Sequence, residues 1–210
     1  MQSRNYNQEM ESILQTLGDK KERMLLHACC APCSSAVLER LNERFDLTLF
    51  YYNPNIAPAE EYAKRLHELE RLTRAMPIAP VSFAACAYDG EAFTETTRGL
   101  EQEPEGGARC AKCFRLRLEK TAKTAAEQGF DRFATTLTIS PLKNAPLINT
   151  IGEALAEQYG VRWLPTDFKK KDGYKRSIEL SREYDLYRQD YCGCIYSKQE
   201  RRKKEENDHT

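Results

Sequence analysis

The stretch Met24-Leu25-Leu26-His27-Ala28-Cys29-Cys30-Ala31-Pro32-Cys33-Ser34 decides the fold. Met24 to Ala28 is a short apolar run of the length of a buried strand. From Ser34 to Arg44 the apolar residues Val37, Leu38 and Leu41 return at helical spacing. A strand that passes directly into a helix is the opening of a βαβ unit. The cysteines fall at the junction. In an open α/β sheet that is where ligands bind, beyond the carboxyl ends of the strands. A helix N-terminus at the same point favours anionic sulfur and lowers thiol pKa.

Working outward, the alternation continues. Met10, Ile13, Leu14 and Leu17 mark a helix over 4–17. Leu47–Tyr52 reads as a strand stopped by Asn53-Pro54-Asn55, and Pro58 opens a long helix. Ile78–Phe83 is a strand weakened by Pro80. Glu91–Arg98, Cys113–Gln128, Leu147–Tyr159 and Tyr174–Tyr184 read as helices, and Phe133–Ile139 and Val161–Leu164 as strands. The expected class is α/β, with a mainly parallel sheet covered by helices on both faces. Residues 1–198 form one metal-binding domain, and 199–210 are a charged tail, frayed or disordered.

Length and composition agree with a single domain of 210 residues, 40% hydrophobic and 30% charged. Lys+Arg and Asp+Glu both number 32, so no overall basic field marks a nucleic-acid binder. Charge is nevertheless local. Residues 91–105 carry five glutamates, and 169–176 carry Lys169, Lys170, Lys171, Lys175 and Arg176. Met1–Arg23 is polar and lacks the apolar core of a signal peptide. No segment reaches the ~18 apolar residues of a membrane span. A cytosolic protein with reduced thiols is expected.

Seven of the eight cysteines fall into three clusters: Cys29, Cys30 and Cys33; Cys110 and Cys113; Cys192 and Cys194. In a reducing compartment such grouping reads as a soft-metal site. Spacing alone leaves three readings. Cys30 and Cys33 can form a redox or sulfur-transfer pair, which leaves five clustered cysteines unused. Zinc on Cys110, Cys113, Cys192 and Cys194 can shape an RNA-binding module, leaving three thiols idle. An iron–sulfur cluster takes four thiolates, and the remaining three can hold a second metal. Cys29 and Cys30, as neighbours on extended chain, are expected to point apart and serve two centres. Cys86 reads as an inert buried thiol. His27 is a candidate supporting group, whereas His67 and His209 read as surface and tail.

The run Cys29–Ser34 resembles the amino-terminal signature of the QueH-type epoxyqueuosine reductases, which act without cobalamin. Glu103–Leu118, Thr135–Pro141, Asp167–Ser177 and Tyr187–Cys194 resemble the rest of the pattern, in the family's order. The resemblance implies a Rossmann-like fold of the adenine-nucleotide hydrolase-like kind. It implies a [4Fe-4S] cluster with one adjacent iron ion. It implies two-electron removal of the epoxide oxygen of epoxyqueuosine in the tRNA anticodon loop, giving queuosine. Some family members have aspartate where Cys33 stands, which makes Cys33 the candidate ligand of the second iron and a catalytic residue. Cys30, Cys110, Cys113 and Cys192 are assigned to the cluster, with Cys29, Cys33 and Cys194 nearer the second iron. Asp190 and Tyr191 are the catalytic proton-source candidates, with Tyr174 and Asp89 behind them.

Phosphate contacts are expected from Arg109, Arg115, Arg117, Lys169, Lys170, Lys171, Lys175 and Arg176. Tyr51, Tyr52, Tyr174, Tyr187 and Tyr191 are candidates to stack on unpaired bases. No GxGxxG run is present, so electrons are expected from an external donor.

Overall fold

The computed structural model describes residues 4–18 and 21–208. His209 therefore lies outside the described residues. Five strands form one sheet: β1 (Glu22–His27), β2 (Phe45–Phe50), β3 (Ser82–Ala84), β4 (Arg132–Thr135) and β5 (Arg162–Trp163). Their order is β3-β2-β1-β4-β5, and every recorded pairing is parallel. The helices are α1 (Tyr6–Thr16), α2 (Ala31–Leu41), α3 (Ala59–Ala75), α4 (Gly90–Thr96), α5 (Ala108–Glu127), α6 (Ala145–Tyr159), α7 (Gly173–Glu183) and α8 (Ile195–Asp208).

β1 is central because it is apolar on both faces. Successive side chains of a strand alternate between faces. Met24 and Leu26 enter the layer built with Met10, Val37, Leu38, Leu69 and Leu180. Leu25 enters the opposite layer with Phe114, Leu118, Phe133, Ile148 and Trp163. The result is a three-layer sandwich with α1, α2, α3 and α7 on one side and α5 and α6 on the other. The expected Rossmann-like α/β class is the class found.

Several boundaries differ from the sequence expectation. β3 is confined to Ser82–Ala84, since Pro80 has no N–H for the ladder. The chain leaves the sheet after Thr135 and coils into a 3-10 turn over Thr136–Ile139. There the Thr135 side chain accepts the Leu137 N–H at 3.2 Å, an alternative that threonine offers to the ladder. α5 begins at Ala108, earlier than the periodicity indicates, so Cys110 and Cys113 lie on its first two turns. The charged segment from residue 199 continues α8 as far as Asp208. No helix of the described residues is long and apolar enough to cross a membrane.

Candidate metal centre

All three cysteine clusters sit at the carboxyl end of the sheet. Cys29 and Cys30 follow β1, and Cys30 is the N-cap of α2. Cys33 is on the first turn of that helix. The sulfurs of Cys29, Cys30 and Cys33 all lie within 4.8 Å of one another, with Cys29 and Cys30 at 3.9 Å. The expectation that these neighbours point apart is corrected: rotation at the strand–helix junction brings both sulfurs to one point. A metal ion bound at about 2.3 Å holds tetrahedral sulfurs about 3.8 Å apart, so the triad matches a single ion.

The other four thiols form a looser group. Cys110 and Cys113 share a face of α5 by their three-residue spacing. Cys113 and Cys194 pack in one cluster with Phe93, and Cys192 packs against it. Cys192 and Cys194 are 3.8 Å apart. By packing, Cys29, Cys30 and Cys33 form one group and Cys113, Cys192 and Cys194 another, while Cys110, one turn before Cys113 on α5, sits in the core layer that Cys29 packs against. Cys30 stays with its neighbours, and Cys194 with Cys192.

Hydrogen-bond donors converge on the sulfurs. The Thr136 hydroxyl donates to Cys29 Sγ at 3.2 Å and accepts the Cys29 N–H at 3.1 Å. Gly106 N–H donates to Cys110 Sγ at 3.2 Å, and Ser197 N–H to Cys194 Sγ at 3.4 Å. Cys30 and Cys33 donate to Cys29 and hold it well below the usual thiol range. Acting as such a donor pushes Cys30 up to about 12. Cys194 in the same way holds Cys192 low, and Lys143 adds to that. Burial pushes Cys113 up to about 11. In each group one thiol is thus shifted toward the thiolate form. The remaining protons leave when a metal binds.

Buried cations balance this charge. Arg117 donates to Asn53 Oδ1 and lowers the pKa of both Cys29 and Cys113. His27 is fully buried between Thr135 and Tyr52. Its Nδ1 lies 2.8 Å from the Thr135 hydroxyl, and its Nε2 lies 3.1 Å from the Tyr52 carbonyl and faces the Arg117 Nε–H at 3.3 Å. Burial, with Arg117 close by, pushes His27 down to about 3 and keeps it neutral. Lys143 pairs with Glu105 at 3.0 Å beside the Cys192 group.

A cavity of about 170 Å³ opens onto these sulfurs, lined by Cys29, Cys30, Cys33 and Cys192 together with Asp190 and Tyr191. Tyr174, Arg65, Arg117 and Lys143 also reach it. Asp190 is 60% exposed and pairs with Arg201 at 3.5 Å. Asp89 lies elsewhere, capping α4 by accepting the Ala92 N–H at 3.2 Å. Cys86 stands outside the sulfur groups, 3.8 Å from the Tyr62 hydroxyl.

The eight expected phosphate contacts divide. Arg109 is 1% exposed, donating to the carbonyls of Leu100, Glu101 and Glu103 and to Glu200. Arg117 is 4% exposed and belongs to the cavity floor. Both are corrected from surface contacts to buried groups. Arg176 pairs with Glu39 at 2.7 Å, and Lys169 with Asp167 at 2.5 Å. Arg115 lies 3.9 Å from Glu119 with its side chain 47% exposed. Lys170, Lys171 and Lys175 are exposed around the start of α7. Among the tyrosines, Tyr51 and Tyr52 are buried, Tyr187 bonds Glu61, and Tyr174 and Tyr191 face the cavity. Sequence reasoning missed Arg65 and Lys143. Arg65 carries the ordinary signature of a helical pair with Glu61, and only the fold brings either residue to the sulfurs.

The fold and the site define a class: a Rossmann-like α/β protein with a polythiolate pocket at the carboxyl ends of its strands. Residues 24–200 match the family described as Epoxyqueuosine reductase QueH, and the chain belongs to that family. It is 43% identical over 198 residues to the Epoxyqueuosine reductase QueH of Streptococcus pyogenes serotype M1, covering 92% of this chain and 78% of that protein. It is 37% identical over 188 residues to the Epoxyqueuosine reductase QueH of Thermotoga maritima, covering 86% and 93%. Among solved structures, the U34-tRNA thiolase NcsA from Methanococcus maripaludis with its [4Fe-4S] cluster is similar in fold. It has a TM-score of 0.51 and 14% identity, covering 90% of this chain and 67% of that one.

Proposed function

We propose that this protein removes the epoxide oxygen of epoxyqueuosine in the tRNA anticodon loop, in the cytoplasm, at a metal centre held by its seven clustered cysteines. The meeting of the Cys29/Cys30/Cys33 triad with Cys192, a member of the second group, on one cavity carries this reading. The donor set fits: seven soft sulfurs are three more than a four-iron cluster takes. The tight triad of Cys29, Cys30 and Cys33 matches one adjacent iron ion, and Cys110, Cys113, Cys192 and Cys194 match the cluster. Bound there, the cluster and iron supply electrons and Lewis acidity.

The overall change consumes two electrons and two protons, breaks both C–O bonds of the epoxide, restores the alkene and releases water. The chain's residues provide the surroundings. Tyr191, whose phenol is pushed up by burial, keeps its proton at neutral pH and delivers it from Oη in the cavity wall. Asp190, more open to solvent, relays the next proton. Arg117 and Lys143 hold positive charge next to the thiolates. Lys170, Lys171 and Lys175, with Arg115, engage tRNA phosphates, and Tyr174 offers a ring to an unstacked base. Electrons come from an external donor.

The test is anaerobic purification, assay of iron and acid-labile sulfide, and turnover of epoxyqueuosine-containing tRNA with a chemical reductant. A brown protein that forms queuosine supports the reading. A colourless protein with stoichiometric zinc and no turnover overturns it.

A further inference from the structure

Glu105 and Lys143 pair at 3.0 Å in the wall of the sulfur cavity, on the loops that precede α5 and α6. Both backbones are fixed. The Glu105 N–H donates to Glu200 Oε2 at 3.3 Å, and the Lys143 N–H to the Ser140 carbonyl at 3.2 Å. Gly106, next along the chain from Glu105, bonds the Cys110 sulfur. The ion pair uses Glu105 Oε1 and one N–H of the Lys143 ammonium, which has three to give. Among the described residues, Glu105 Oε2 and the rest of that ammonium have no hydrogen-bond partner. Glu105 keeps 28% of its side chain accessible and Lys143 11%, so a molecule in the cavity reaches both.

The other charged groups of the cavity wall are occupied or of one kind. Arg65 bonds Glu61 and the Cys192 carbonyl, and Arg117 bonds Asn53. Arg188 lies against the hydroxyls of Ser181 and Tyr174 and offers donors alone. Asp190, the second carboxylate of the wall, pairs with Arg201 and stands mostly in solvent. Glu105 and Lys143 offer an acceptor and donors side by side.

That combination matches a vicinal diol. One hydroxyl donates to the carboxylate, and its neighbour accepts from the ammonium. Epoxyqueuosine carries two adjacent cis hydroxyls in the same five-membered ring as the epoxide. The group that holds them must stand next to the centre that takes the epoxide oxygen, and this pair stands beside Cys110 and Cys192. Resting on the epoxyqueuosine reading above, we propose that Glu105 and Lys143 bind the ring diol and so turn the epoxide toward the metal centre. Glu105 Oε2 accepts from one hydroxyl, and Lys143 Nζ donates to the other. A site built to bond a hydroxyl rejects the analogue that lacks it, because its own polar groups are then left unpaired.

The experiment is equilibrium binding of one tRNA in two forms to the full-length protein, reconstituted anaerobically with iron and sulfide and kept without reductant. One form carries queuosine, which keeps the diol and has no epoxide. The other carries 7-aminomethyl-7-deazaguanine at the same position, which keeps the base and the amine and lacks the ring. Wild type is expected to bind the queuosine form about tenfold more tightly, the size of a hydrogen bond to a charged group. Glu105→Leu/Lys143→Met removes the pair together and leaves neither charge unpaired. It is expected to bring the two affinities within about twofold by weakening the queuosine form alone. Glu105→Gln, nearly isosteric, is expected to cut the preference about threefold and to load iron normally. If the double variant fails to fold, Glu105→Gln decides. A wild type with no preference, variants that keep it, or an equal fall in both affinities overturns the proposal. So does iron lost from Glu105→Gln, which would make Glu105 a metal ligand. A wild type that binds no iron and sulfide and forms no queuosine from epoxyqueuosine-containing tRNA defeats the functional reading instead, which separates the two failures.

Discussion

Arg117 donates to the side-chain oxygen of Asn53, and Asn53 in turn donates to the Ala28 carbonyl at 2.9 Å. This relay ties the middle of α5 to the chain entering the first cysteine cluster. It holds a cation beside Cys29 and Cys113, where it favours the thiolate form of each. Replacing Arg117 by Met leaves the Asn53 oxygen buried and unpaired. The expected cost is about 1–3 kcal/mol of stability, measured by urea unfolding of metal-free protein. An unchanged unfolding curve would show that the relay is idle.

Cys33 belongs to the tight triad. Cys33→Ala is expected to leave the four-iron absorbance largely intact, to remove one iron per chain, and to abolish turnover. Cys33→Asp offers a hard oxygen ligand on the same short stem and is expected to recover iron and part of the activity. Iron analysis alongside the turnover assay checks both. Full activity in Cys33→Ala would refute the role.

The two classes of basic residue separate in their effects. Exchanging Lys170, Lys171 and Lys175 for Ala is expected to weaken tRNA binding and flatten its salt dependence, by a slope of about 0.7 for each phosphate no longer neutralised. Thermal stability stays near wild type, since the three side chains are exposed. Arg109→Met does the reverse. It orphans carbonyls around residues 100–103 and is expected to cost about 2–3 kcal/mol, roughly a 4–12 °C fall in Tm for a chain of this size. A triple variant with unchanged salt slope would remove the α7 turn from the RNA surface.

The contrast shows what was legible in the sequence. β1 announced itself by an apolar run buried on both faces, and the cysteines by their spacing, so the sheet and the sulfur donors were readable. Thr136 looks like a strand residue, yet it leaves the sheet and turns its hydroxyl to Cys29. That choice depends on a neighbour more than a hundred positions away. Arg109 and Arg117 read as surface cations because charge is usually solvated. Their burial follows from partners, such as Glu200 and Asn53, that no local pattern brings near. Arg65 was hidden for the same reason.

Gly193 separates Cys192 from Cys194 at φ +111, a left-handed conformation that residues with a Cβ rarely adopt. Its carbonyl also accepts the Ala57 N–H at 3.0 Å, so the loop cannot rotate away without losing that bond. Gly193→Ala meets two obstacles: the strained backbone, and the close approach of a new Cβ to Ile56 and Arg65. Backbone strain alone costs about 1–3 kcal/mol. Relief comes most readily by lifting the Cys192–Cys194 loop, which carries two of the four thiols of the looser group. The expected result is a protein that folds with reduced stability and loses iron to a chelator several-fold faster than wild type, while an exposed substitution such as Lys175→Ala leaves the loss rate unchanged. Equal chelation rates for Gly193→Ala and wild type would mean that this loop does not hold the centre.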